Sequence, residues 1–187
     1  TLFAIALAGM FSKESAAVLV GVVVLQECLW TRRWKALLAG CAVTGLAVAL
    51  MWANRAAVMR AAGHFEFPFV DNPLVSTDFW TARLTAVKVM AYSLGLLVWP
   101  ARLSSDYSYN QIPLWSGTLE DWIGCLVVAA VAAAVLLMLR YHRVAFFFGC
   151  FAFLTYLPSS NLLFPIGTIM AERLLYLPAI GVIGLVV

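Results

Sequence analysis

Short polar clusters interrupt an otherwise apolar chain, and their residue types limit what each could do. Ser12-Lys13-Glu14 sets an ammonium beside a carboxylate between two apolar runs. That pair is either a loop with a snorkelling lysine or part of a site, since ionisable groups near membrane depth are costly and usually functional. Asp71-Asn72-Pro73 reads first as a turn that starts a helix, because Pro73 drives Asn72 out of the α region and Asp and Asn favour turns. Asp71 or Asn72 could still face a substrate. The stretch from Arg102 through Ser104, Ser105, Asp106, Tyr107, Ser108, Tyr109 and Asn110 to Gln111 mixes planar polar groups with aromatic rings. Sugars are held by such mixtures, the polar groups taking hydroxyls and the rings the apolar sugar face. An interfacial aromatic belt is the plainer alternative, but a belt has no need of Asp106 or Asn110. Glu172-Arg173 follows the irregular, prolyl segment Pro158–Ala171. It is expected to open the last helix, either as a simple cap or with the guanidinium as a fork for a phosphate.

Other chemistries lack their signatures. No HExxH, GxSxG, phosphate-binding loop or GxGxxG is present. The 4 cysteines lie in apolar stretches without metal-ligand spacing, so they read as small buried hydrophobes, and no metal site is expected. His64 and His142 carry no further signal.

The elements that must position these clusters follow from composition. The chain has 187 residues, 64% hydrophobic and 11% charged, with mean hydropathy +0.96. A soluble domain has about 45–50% apolar and about 25% charged residues. The solvent of this chain is therefore mostly lipid, and the expected fold is all-α: a polytopic transmembrane helical bundle. A net charge of +3 gives no reason to expect nucleic acid as a partner. Ala36–Ala53 and Trp122–Leu139 read as clear spans, Ser15–Trp30 and Val144–Leu157 as shorter ones, and Leu2–Phe11 and Leu174–Val187 as helix ends cut by a fragment. Leu84–Pro100 holds Lys88, and a charge at mid-bilayer costs at least about 2.5–3.5 kcal/mol. A re-entrant or interfacial helix is expected there rather than a span. The basic loops Arg32–Lys35 and Arg140–Arg143 are expected on the cytoplasmic side. Two crossings between them agree with that, and a third would not. Residues from about Asn54 to Asp121, Pro158–Arg173 and the break at Ser12–Glu14 then share the opposite side. Lys13–Glu14, Asp106 and Glu172–Arg173 are expected to converge on one cavity. No repeat or flexible linker appears, so residues 1–187 are expected to be part of one membrane domain.

The strings FSKES, DNPL, RLTAVKVMAYSLGLLVWPARLSSDYSYNQIPL and LPSSNLLFPIGTIMAERLLYLP resemble the membrane portion of the transmembrane and tetratricopeptide-repeat-containing (TMTC) proteins and their bacterial relatives. The likeness is strongest from Asp71 to Pro178. It implies a GT-C-like membrane domain, a C-type glycosyltransferase using a polyprenyl- or dolichyl-phosphate sugar. For eukaryotic members it implies mannosylation of Ser or Thr hydroxyls of an acceptor protein in the endoplasmic reticulum, with tetratricopeptide repeats downstream. For a bacterial relative it implies the inner membrane. The family's main catalytic carboxylate is expected in a loop upstream of Thr1. Glu14 and Asp106 are then the auxiliary catalytic candidates within this chain. Lys13, Arg102 and Arg173 are candidates for the donor phosphate. Asp71, Asn72, Tyr107, Asn110 and Glu172 are candidates for substrate contact. A transporter or a membrane-anchored scaffold for a repeat domain is the alternative; a transporter's charges should be reachable from both sides in turn, whereas these collect on one.

Overall fold

The computed structural model describes residues 1–62, 69–101, 103, 104 and 107–186, and every regular element among them is helical. The helices are α1 (Leu2–Ser12), α2 (Leu19–Gln26), α3 (Trp34–Ala62), α4 (Phe79–Val98), α5 (Leu119–Tyr141), α6 (Arg143–Tyr156) and α7 (Tyr176–Val186), with short 3-10 or π turns at several of their ends. The chain divides into two compact units, Thr1–Glu66 and Phe67–Val187. By length and composition, four helical stretches are long and apolar enough to cross a membrane: Glu14–Thr31, Trp34–Ala61, Phe79–Val98 and Leu119–Tyr141.

In the first unit, α1 ends where Lys13 turns extended (φ −157°, ψ 129°), so the Ser-Lys-Glu triplet does break the helix. A helical run follows from Glu14 to Thr31 and stops at Arg32, whose φ of 48° is left-handed. Small residues let the helices approach: a Cβ added at Gly40 of α3 would lie 2.7 Å from a methyl of Val23 in α2. Ala6 and Met10 of α1 are buried against Ala47 and Met51 of α3. Sequence ends this span at Ala53, but α3 continues to Ala62 and is 29 residues long, about 43 Å at 1.5 Å per residue. Nothing between Asn54 and Ala62 breaks a helix, and Arg55 gains a partner there, as described below.

In the second unit, α4 starts earlier than its hydropathy suggests because Asp78 caps it, accepting from Thr81 N at 3.0 Å. α5 opens with a capping box between Thr118 and Asp121. α6 packs antiparallel to α5, with Gly149 against Val135, and α7 antiparallel to α6, with Gly181 against Ala152 and Gly184 against Phe148. A Cβ on Gly181 would lie 2.7 Å from both Ala152 N and Phe148 O, so backbone contact leaves no room for a side chain.

The α4–α5 pair has an unexpected direction. Lys88 Nζ, midway along α4, lies 2.7 Å from Asp121 Oδ1 in the first turn of α5. One turn on, Gly124 faces Ala91, with 3.4 Å between an added Cβ and the alanine methyl. The two helices therefore run in the same direction. The segment between them returns along α4: Tyr107 packs edge-on to Tyr92 at 5.9 Å, Lys88 Nζ donates to Pro113 O at 3.1 Å, and Trp115 N donates to the buried Thr85 Oγ1 at 2.9 Å.

Candidate functional site

Two irregular stretches of the second unit, the described residues among 99–118 and residues 157–175, meet beside α4, and both are held by asparagine and carboxylate chemistry. Asn72 is fully buried. Its Nδ2 donates to Asn161 Oδ1 at 3.0 Å, Ile166 O at 2.6 Å and Thr168 O at 3.4 Å, while its Oδ1 accepts from Leu74 N at 3.1 Å. Asn161, left-handed at φ 58°, donates onward to Thr168 O and Ile169 O and accepts from Ile166 N. Buried amides this fully engaged fix a loop. Arg83 Nη2 adds a bond to Leu163 O at 2.8 Å while its guanidinium lies 4.7 Å from the Phe79 ring centre.

On that frame sits Glu172. Its Oε1 accepts from Ser104 N and from Tyr107 Oη, each at 2.7 Å. Short bonds to a carboxylate are charge-assisted and about twice as strong as neutral ones. Tyr107 is 3% exposed, and burial pushes its phenol pKa up, with the Glu172 hydrogen bond and Tyr92 adding to the rise. The shift favours the protonated phenol, which donates to Glu172. Arg173 is exposed, next to this carboxylate in sequence, and among the described residues it has no ion pair or hydrogen bond. The 3-10 turn Glu172–Leu174 precedes α7, which begins at Tyr176, so Arg173 leads into the last helix rather than opening it.

Tyr109 and Asn110 form the tip of a tight turn. Both are left-handed, at φ 58° and 59°, and Gln111 N reaches Ser108 O at 3.4 Å. Successive positive φ values are those of a type I′ turn. A left-handed non-glycine residue costs on the order of 1–3 kcal/mol and persists where its surroundings over-determine it. Tyr109 N donates to Val70 O at 3.1 Å, which supplies part of that constraint, and its ring is 82% exposed.

The sequence candidates thus separate. Tyr107 and Glu172 are in contact, with Arg173 adjoining and Asn110 exposed close by in sequence. Asn72 is corrected from substrate contact to loop anchor, because its amide is consumed within the protein. Asp71 holds the loop through its backbone, accepting from Ile169 N at 3.2 Å, and its side chain is exposed. Glu14 is ion-paired with Arg55 within the first unit, beside Trp52, whose ring centre is 5.9 Å from the guanidinium. Lys13 lies in the adjoining break of that unit. Arg102 and Asp106 lie outside the described residues, as does His64. No cluster of three or more metal-ligand side chains occurs among the described residues. Sequence reasoning missed Asn161, Arg55 and the Lys88–Asp121 pair. Only Asn161 carried a readable signal, as an asparagine within a Ser-Ser-Asn turn.

These features define an all-helical, membrane-type protein whose irregular segments bring a carboxylate and a phenol together, with an exposed arginine next in sequence. The family described as "Protein O-mannosyl-transferase TMTC, DUF1736" matches residues 62–136, and over this region the chain is related to the TMTC proteins. Mouse "Protein O-mannosyl-transferase TMTC3" is 31% identical over 125 residues, which cover 62% of this chain and 13% of the mouse protein. Drosophila melanogaster "Protein O-mannosyl-transferase Tmtc3" is 29% identical over 122 residues, 62% of this chain and 13% of the fly protein. Human "Protein O-mannosyl-transferase TMTC4" is 32% identical over 133 residues, 66% of this chain and 18% of the human protein. The chain spans well under a quarter of the length of these relatives. No solved structure matches it.

Proposed function

We propose that this chain is the membrane-embedded part of a C-type mannosyltransferase. The whole protein moves mannose from a polyprenyl- or dolichyl-phosphate donor to Ser or Thr hydroxyls of an acceptor protein on the non-cytoplasmic side. The membrane is that of the endoplasmic reticulum in a eukaryote and the inner membrane in a bacterium. The single observation that carries the reading is the Glu172 cluster: a carboxylate fixed by Ser104 N and Tyr107 Oη, with the exposed Arg173 next to it. The names of the relatives supply the reaction class.

The chemistry asks for three things. A leaving phosphate needs a cation, and the fork of Arg173 suits two phosphate oxygens at once. An acceptor hydroxyl needs a base within hydrogen-bond reach, and Asp106 is the candidate nearest in sequence to the cluster. A lipid-linked donor needs irregular backbone buried at membrane depth, which survives only inside protein or along a cavity. Residues 157–175 are the irregular stretch that fits this need. Inversion by one displacement requires no covalent enzyme intermediate. In this scheme Glu172 orients Arg173 or a sugar hydroxyl, and Glu14, tied to Arg55, is a secondary candidate.

Transfer by the full-length protein from polyprenyl-phosphate mannose to an acceptor peptide tests the reading. Glu172→Gln keeps the oxygen that accepts both hydrogen bonds and removes the charge. Its kcat/KM is expected to fall about tenfold, equivalent to ~1.4 kcal/mol, with the melting temperature nearly unchanged. Wild-type protein that transfers nothing from this donor would sink the function. A Glu172→Gln variant of unchanged rate would remove the carboxylate from the site.

A further inference from the structure

We propose that residues 79–101 and 107–118 are the two limbs of a re-entrant hairpin that enters and leaves the bilayer on one side, with its tip, Val98-Trp99-Pro100, against lipid acyl chains near the midplane. The inference rests on register within the second unit and is independent of the function proposed above.

By length alone α4 could cross a membrane. Its contacts say otherwise. Lys88, midway along α4, is level with Asp121, in the first turn of α5. The two helices run in parallel, since Ala91 then meets Gly124. Val98 lies ten positions beyond Lys88, about 15 Å further along at 1.5 Å per residue. That is roughly halfway down α5, which has 23 residues and a length of about 34 Å. α4 therefore stops some 15 Å short of the far end of its neighbour, near Tyr141.

A second set of contacts gives the same depth. Ser93 Oγ lies 3.1 Å from Tyr156 Oη, at the end of α6. Because Gly149 of α6 packs on Val135 of α5, Tyr156 is level with Val128, two turns below Asp121. Val128, Leu96 and Leu97 accordingly pack against the same buried cluster, which includes Tyr156. The chain then climbs back beside α4, through Tyr107 at Tyr92, Pro113 at Lys88 and Trp115 at Thr85, to start α5 at the level of the middle of α4.

The tip fits the acyl region. Val98 and Trp99 are 77% and 76% exposed, and residues 89–101 contain no charge. Large apolar side chains exposed at the closed end of a hairpin, half a membrane below its mouth, have lipid as their matching solvent. Lys88 does not oppose this placement. It sits at the mouth, neutralised by Asp121 and bonded to Pro113 O.

Single cysteines at Phe79, Trp99, Leu119 and Tyr141, all exposed positions, test this in the full chain with the native cysteines replaced. A membrane-impermeant maleimide applied to sealed vesicles is expected to label Phe79→Cys and Leu119→Cys from one side and Tyr141→Cys from the other. A nitroxide on Trp99→Cys is expected to be relaxed by oxygen and not by a water-soluble nickel chelate. Labelling of Trp99→Cys from the Tyr141 side would make α4 a true span and overturn the proposal. Relaxation by the chelate would place the tip in water, and relaxation by neither reagent would bury it in protein; either outcome overturns the lipid contact.

Discussion

Arg173→Ala is expected to lower transfer by the full-length enzyme about 100- to 1,000-fold, the usual cost of deleting one preorganised group that stabilises charge in a transition state. Arg173 is exposed and has no partner among the described residues, so its removal breaks no contact seen in the fold. The variant should keep the wild-type melting temperature, while binding of polyprenyl-phosphate mannose weakens. Arg173→Lys should recover only part of the loss, since an ammonium offers a point charge in place of a planar two-pronged donor. Arg173 follows Glu172 directly, and the bonds of Glu172 to Ser104 N and Tyr107 Oη fix that neighbouring residue. Donor titration of purified, monodisperse Arg173→Ala decides the matter. Unchanged affinity would remove Arg173 from the site.

Asn72→Ala is expected to act in the opposite way, on stability first. The side chain is fully buried and satisfies Leu74 N, Ile166 O and Asn161 Oδ1. Truncation strands several of these groups, and each buried group left without a partner costs about 1–3 kcal/mol. A net loss of about 3–5 kcal/mol follows, large for a single substitution. It should appear as a sharply lower melting temperature in detergent or as poor accumulation of the protein. Asn72→Asp should fare no better, because a carboxylate would face the Ile166 and Thr168 carbonyls that now receive an N–H. Asp71→Ala is the control, since Asp71 contributes only its backbone to the loop and its side chain is exposed. Surface changes of that kind stay within about 0.5 kcal/mol. An Asn72→Ala protein as stable as its Asp71→Ala counterpart would show that the amide network is incidental.

What the sequence could reveal was decided by range. Apolar runs gave the helices because a spanning segment must satisfy its own backbone locally. Boundaries shifted where a local cap outweighed hydropathy, as Asp78 and Thr118 did. The break at Lys13 was legible for the same reason, two apolar runs and a charged pair between them. The site was legible only by halves. Tyr107 and Glu172 each stood out among apolar neighbours, but that they share a hydrogen bond is a contact across 65 residues, which no periodicity encodes. Asn72 illustrates the reverse error. An asparagine beside an aspartate in a turn resembles a ligand, and its engagement by Ile166 and Thr168 is visible only in three dimensions. Lys88 drew attention to its helix, but nothing in the sequence near it showed that Asp121, 33 residues on, would take its charge.

The Lys88–Asp121 contact also constrains the order in which the protein can be made. Synthesis runs from the N-terminus, so the ribosome releases α4 before the carboxylate that neutralises it exists. During that interval Lys88 has no carboxylate beside it, and an unpaired ammonium resists being drawn below the membrane surface. Nascent chains truncated before Asp121 should therefore leave α4 outside the bilayer, accessible to a water-soluble thiol reagent at Trp99→Cys, whereas chains extended through α5 should bury it. Protection of the truncated chain would show that α4 enters unaided. On the re-entrant placement proposed above, α4 is seated only once its anchoring helix has been threaded, and the Tyr107–Glu172 contact forms later still, when Glu172 emerges.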